Sequence, residues 1–213
     1  MRVVDLWLDP ISPYAWLAGR QLDRIDALAT VRVRPVLFAA LLNHHGNVGP
    51  AEIPTKRAYT FRDVVRTADR LGLRVEGPPA HPFNPLTALR ACVSIEDDAS
   101  RRRLAVALMD AAWSEGRDLE SIDVVRDVAA QLGLDGEAIV AATRDPAIKQ
   151  RLLDATQEAI SVGVFGVPSF VIEGEVFWGS DRLDALVHRL EGHRVEEAKL
   201  ARILARPASA TRR

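Results

Sequence analysis

Segments able to form β-strands occur only near the two ends of this chain, and that distribution constrains the fold more than any other feature. VVDLWL, residues 3 to 8, is short and rich in strand formers, as a buried strand should be. From Pro13 to about Ala29 the apolar positions Ala15, Trp16, Leu17, Leu22, Ile25 and Leu28 recur at helical spacing. VRVRPVLF, residues 31 to 38, alternates and then turns continuously apolar, which predicts a second strand. Strand, helix, strand within forty residues is a βαβ unit, and its crossover is expected to be right-handed.

From about Leu42 to Ser161 the pattern is helical throughout. Helices are predicted from about Lys56 to Leu71, after Asn84-Pro85, from about Asp98 to Glu115, after Ser121, and from Asp145-Pro146 to about Ser161. Gly72, Gly116 and Gly133 fall where helices should stop. Strands return in SFVIEGEVFWG, residues 169 to 179, a hairpin signal around Glu173-Gly174, followed by an amphipathic helix in RLDALVHRLEG and a charged tail. The order βαβ, helical block, ββα predicts an α/β protein with a thioredoxin-like fold. Residues 1–213 would form a single domain, with 42–161 as an inserted helical subdomain.

Composition removes several classes of function. Net charge is -1, so no whole-protein field attracts nucleic acid or an anionic membrane. The N-terminal apolar runs are broken by Asp5 and Asp9, which fits neither a signal peptide nor a spanning helix, and a cytoplasmic protein is expected. The one cysteine, Cys92, has no partner for an internal disulfide and reads as an inert buried helical residue. No metal site is expected: no Cys/His cluster is evident, and His44-His45 reads as loop, or as lining of a substrate entrance. Arg101-Arg102-Arg103 reads as a solvated helix face.

Three stretches carry chemistry. Ser12-Pro13 stands where the first strand gives way to the first helix. Ser12 reads as an N-cap before a proline at the first helical position, and a hydroxyl at a helix start also suits a thiolate brought by another molecule. In GVFGVPSF, residues 163 to 170, Val167-Pro168 precedes a strand. It reads as an ordinary strand-initiating proline, or as a cis proline that leaves the backbone of Val167 free to pair with a peptide-like ligand. In WGSDRLDAL, residues 178 to 186, Ser180 or Asp181 caps a helix and could equally receive the carboxylate and ammonium of a zwitterion. Position 12 and the three residues after it contain no thiol, which disfavours a disulfide oxidoreductase.

DLWLDPISPYAWLA, RPVLFAALL, GNVGPAEIPTKRAYTFRDVVRTA, FNPLTALRA and GVFGVPSFVIEGEVFWGSDRLDAL span residues 5 to 186. In these motifs the chain resembles the glutathione-dependent 2-hydroxychromene-2-carboxylate isomerases and their relatives, the kappa-class glutathione transferases. The resemblance implies that Ser12 hydrogen-bonds the glutathione sulfur and that Val167, before Pro168, pairs with its cysteinyl backbone. Ser180 and Asp181 would hold the γ-glutamyl end, and Lys56 would reach the glycine carboxylate with Asn47 near it. Asn84 matches a recurring asparagine whose simpler reading is an N-cap. Phe38 and Trp178 are candidates for an apolar acceptor pocket. Pro10-Ile11 and Ala15 depart from the family pattern and bear on the shape of that pocket. The implied reaction is isomerisation of hydroxybenzylidenepyruvate-type catabolites from naphthalene-like aromatics, with reduced glutathione as cosubstrate and a homodimer as the usual assembly. The alternatives are a kappa-like transferase or peroxidase and a non-catalytic thioredoxin-fold binding module.

Overall fold

The computed structural model describes residues 2–207. Four strands form one sheet in the order β2-β1-β3-β4. β1 (Arg2–Leu8) and β2 (Ala29–Pro35) run parallel, while β3 (Ser169–Ile172) lies antiparallel to β1 and to β4 (Glu175–Trp178). Leu6 pairs with Phe170 and Trp7 with Ser169, so the two ends of the chain meet at the centre of the sheet. Both faces of the central strands are covered, which explains why VVDLWL is a near-continuous apolar run. Val4, Leu6, Leu8, Phe170 and Ile172 enter the larger core, whereas Trp7 and Val171 enter a smaller one with Leu41, Val164 and Val167.

The βαβ crossover comprises α1 (Pro13–Gly19) and a single turn, α2 (Asp23–Asp26). The expected continuous helix to Ala29 is interrupted. Gly19 approaches the helix Asp98–Trp113 so closely that a Cβ there would lie 3.0 Å from Met109 Cε. The chain turns at Arg20, and Gln21 Nε2 donates to the Leu17 carbonyl at 2.9 Å, which satisfies one terminal acceptor.

Between β2 and β3 lie α3 (Phe38–His44), α4 (Pro54–Arg70), α5 (Leu86–Ser94), α6 (Asp98–Trp113), α7 (Ile122–Gln131), α8 (Gly136–Ala142) and α9 (Pro146–Ser161). α10 (Leu183–Leu190) and α11 (Glu197–Leu204) follow the hairpin. Gly72, Gly116 and Gly133 have positive φ just past helix ends, and Glu173-Gly174, φ 50° and 82°, form the hairpin turn. Three further elements depart from the sequence reading. The second strand ends at Pro35, which has no N–H for the ladder, and Phe38 opens a helix. α8 lies between two predicted helices and was not itself predicted; Asp135 caps it by accepting from Ala138 N at 2.9 Å. The charged tail includes an exposed helix, α11.

The polar side chains of α6 have definite partners. Arg101 donates to the Ile95 carbonyl from Nε (2.9 Å) and Nη2 (2.7 Å), and Arg102 forms a two-pronged bridge to Asp26 at 2.6 and 2.8 Å. Arg101 and Arg102 are therefore half-buried ties to neighbouring elements, while Arg103 is exposed as expected of a solvated face. Phe170, fully buried at the register point between β1 and β3, holds the sheet to the helical layer. Phe170→Ala is expected to cost about 3–5 kcal/mol, measured as a lower urea midpoint with an unchanged slope.

Candidate functional site

The turn from Asp9 to Ser12 leaves the C-terminal end of β1 and is fastened from several directions. Ser12 N donates to the Asp9 carbonyl at 3.0 Å, and the Asp9 carboxyl accepts from Ile11 N at 3.0 Å and Phe38 N at 2.9 Å. Trp113 Nε1, on α6, donates to the Pro10 carbonyl at 2.9 Å. His81 Nε2 meets the Ile11 carbonyl at 3.0 Å; because a carbonyl only accepts, Nε2 carries the proton in this contact. Ser12 is the N-cap of α1, with Oγ accepting from Ala15 N at 3.3 Å. The same hydroxyl lies 3.4 Å from the Val167 carbonyl, its acceptor across the chain.

Val167-Pro168 is a cis peptide bond, and it sits beside Ser12 at the start of β3. Gly179 N donates to the Pro168 carbonyl at 2.9 Å, bringing the end of the hairpin onto this turn. Gly179 has φ 115°, and a Cβ there would come within 2.5 Å of Asp181 Oδ1, so only glycine leaves the Ser180–Arg182 turn its shape. Ser180 is buried and Asp181 exposed, its carboxylate 2.6 Å from Arg182 Nη2. Trp178 is half exposed and packs edge-on against Phe165 with centroids 5.0 Å apart.

These elements border an open cleft of about 1450 Å³. Ser12, Val167, Pro168, Ser180 and Asp181 all line it, as do Phe38 and Trp178. Lys56, Asn47 and Asn84 are exposed and lie outside the lining. The Asn84 side chain accepts from Leu86 N at 3.1 Å, the helix-starting role that competes with a binding one. His44 and His45 are also exposed and away from the cleft. Trp16 and Trp113 are core residues, and Cys92 is fully buried with burial pushing its thiol up to about 12.

Sequence reasoning passed over four lining residues. Arg57 adjoins Lys56 on α4, its guanidinium carbon 5.0 Å from the Phe61 ring centroid. Tyr14 donates to Asp63 at 2.9 Å, and burial together with that carboxylate raises the phenol above its usual range. Burial lowers His81, so its ring stays neutral to more acidic pH than an ordinary imidazole. Asp9 is fully buried, and desolvation raises it to about 7 against the opposing effect of the Ile11 and Phe38 amides. Elsewhere, His188, Glu191 and His193 bring three ligand-type atoms within 4.8 Å of one another, a grouping the sequence spacing did not suggest. All three are exposed, and the imidazoles stack at 3.7 Å and 7°, which leaves their lone pairs side by side instead of converging.

The DSBA-like thioredoxin domain model matches residues 3–191. The chain belongs to that family. It is 30% identical over 190 residues to the 2-hydroxychromene-2-carboxylate isomerase of Pseudomonas putida, covering 85% of this chain and 90% of the relative. It is 26% identical over 205 residues to human glutathione S-transferase kappa 1, with 89% and 91% covered. The solved structure of a 2-hydroxychromene-2-carboxylate isomerase superposes with a TM-score of 0.82 at 26% identity, over 95% of this chain and 98% of that one. These relatives place the protein in the isomerase and kappa-transferase branch of the DsbA-like fold. No helix among the described residues is long and apolar enough to cross a membrane.

Asp9 gives the family member a pH signature. In the unfolded chain its carboxyl ionises near 3.8, in the folded one near 7. Between those values the folded state holds a proton that the unfolded state has released, so stability falls as pH rises and then levels off. The contribution is on the order of 4 kcal/mol across that interval. Chemical unfolding at several pH values is expected to show this slope in the wild type and a flatter one in Asp9→Asn.

Proposed function

We propose that the protein is a glutathione-dependent isomerase of the 2-hydroxychromene-2-carboxylate type. The observation that carries the reading is the Ser12 hydroxyl, nearly buried against the Val167 carbonyl on the wall of a large cleft. A thioredoxin-fold site with a hydroxyl in this place can hold a sulfur but cannot form a disulfide with it. The chain's own thiol, Cys92, is locked in the core and protonated, so the reactive sulfur is assigned to glutathione. The isomerase and kappa-transferase relatives support the same assignment.

In this reading Ser12 turns its hydroxyl from the Val167 carbonyl to the glutathione sulfur. Val167 pairs with the cysteinyl backbone in front of Pro168. Ser180 and Asp181 receive the γ-glutamyl carboxylate and ammonium. The glycine carboxylate is assigned to the start of α4, where Lys56 and Arg57 offer adjacent cations, with Asn47 on the loop before it. Phe38 and Trp178 form part of the apolar wall for the aromatic acceptor. A free thiol titrates near ~8.5, so little of it is thiolate at neutral pH. Lowering that value by roughly two pH units requires about 2.7 kcal/mol of preferential stabilisation, and charge-assisted hydrogen bonds at the sulfur are of that order.

The thiolate adds to the conjugated side chain of a ring-opened hydroxybenzylidenepyruvate. A carbon–sulfur bond forms, the adjoining double bond becomes single, and its electrons move to the carbonyl oxygen. Rotation about the new single bond and expulsion of the thiolate restore the double bond in the other geometry. Glutathione is regenerated, which makes this nucleophilic catalysis by a cosubstrate. The kappa-transferase relatives favour a second reading on the same site, a transferase or peroxidase that consumes glutathione. Catalytic against stoichiometric loss of glutathione separates the two.

Calorimetric titration with glutathione tests the site. Wild-type binding is expected, with marked weakening in Asp181→Ala and a bound-thiol pKa raised by about two pH units in Ser12→Ala, read from thiolate absorbance. A wild type that binds no glutathione overturns the proposal and returns Ser12 to its role as a helix cap.

A further inference from the structure

We infer that Asp9 is the internal acceptor for the proton that glutathione gives up when it binds as a thiolate. This rests on the glutathione site proposed above. The geometry is that of a buried acid without a countercharge, one turn before Ser12 on the wall of the same cleft. Asp9 is fully buried, yet it borders the same cleft as Ser12 and is joined to Ser12 through a single turn. Its two oxygens accept only the Ile11 and Phe38 amides, and it forms no ion pair among the described residues.

The surrounding elements bring few charges to it. Its own turn carries no other titratable side chain; His81, from the loop before α5, meets that turn at the Ile11 carbonyl and is kept toward its neutral form by burial. The first turn of α3 presents Phe38, Ala39 and Ala40, none of which ionises. On the α1 and α4 side, Tyr14 and Asp63 are bound to each other, and Arg57 leans on Phe61. On the hairpin side Asp181 is paired with Arg182. The ionised Asp9 is therefore held by amide dipoles alone. Its position near neutrality, about 7, follows from that environment.

A second negative charge arriving at Ser12 repels this carboxylate through a wall that water does not screen. The carboxylate then gains affinity for a proton just as the thiol loses one. The sulfur–hydrogen bond breaks, its electron pair stays on sulfur, and the proton comes to rest on an Asp9 oxygen. When glutathione leaves as the thiol, the proton returns to sulfur. No base outside the protein is needed, and the two anions never coexist for long. Direct contact between sulfur and carboxyl is not required, since the coupling acts through repulsion.

The test is a count of protons exchanged with solvent at pH 8, by glutathione calorimetry in buffers of different ionisation heat, with thiolate absorbance recorded in parallel. At that pH about 0.8 of free thiols near ~8.5 carry a proton. The wild type is expected to develop thiolate absorbance while releasing fewer than about 0.2 protons, because Asp9 retains them. Asp9→Asn is expected to release about 0.8 for the same absorbance. A wild type that releases about 0.8 protons overturns the inference, whether or not the variant folds. Failure to bind glutathione, or binding without thiolate, sinks the glutathione reading itself and is distinguishable from a full proton release.

Discussion

The turn from Asp9 to Ser12 depends on hydrogen bonds supplied by parts of the chain that are remote from it. Trp113 comes from α6, His81 from the loop before α5, Phe38 from α3 and Val167 from the start of β3. A turn whose carbonyls at Pro10 and Ile11 are each claimed by an indole or an imidazole has little freedom to move. That rigidity is what a hydroxyl must have if its hydrogen bond to an incoming sulfur is to cost little ordering. The helical layer between β2 and β3 thus does more than cover the sheet, because two of its aromatic side chains hold the site from behind.

Local chemistry was written plainly in the sequence. The strands at both ends, the Asp145-Pro146 start, the Glu173-Gly174 hairpin and the Ser12-Pro13 junction each rest on residues within a few positions of one another. The start of α3 does not. Leu37 occupies its N-cap with no capping side chain, and the acceptor for Phe38 N is a carboxyl 29 residues earlier. Without that partner VRVRPVLF reads as one strand, since nothing near Phe38 signals a helix. The role of Asp9 was hidden for the same reason: an Asp-Pro pair reads as a turn, and only the assembled sheet and helices show that its carboxyl is sealed from water.

The cleft wall presents a related limit. Motif matching points to Lys56, but adjacent helix residues are about 100° apart around the axis, and it is Arg57 that lines the cleft. A motif fixes a residue's place along the chain more firmly than its direction in space. Two glycines on this wall are fixed by close approach. At Gly166 a Cβ would stand 2.6 Å from Trp178 Nε1, and at Gly179 it would meet Asp181. Together they let two backbone turns and one indole share the space beside Ser12.

Among the described residues, Cys92 and Asp9 are ionisable groups buried without a countercharge, and they serve opposite ends. Cys92 lies deep among α5 and its neighbours, where burial keeps its thiol protonated and inert. Asp9 also lacks a counterion, but two amides address its oxygens and its wall faces the cleft. Amide dipoles offset part of the desolvation cost without fixing the charge as an arginine would. A guanidinium in that place would hold Asp9 ionised at all moderate pH and would leave it unable to exchange a proton near neutrality. The absence of a strong partner is therefore what leaves the carboxyl poised, and the amides are what keep it in place while it is.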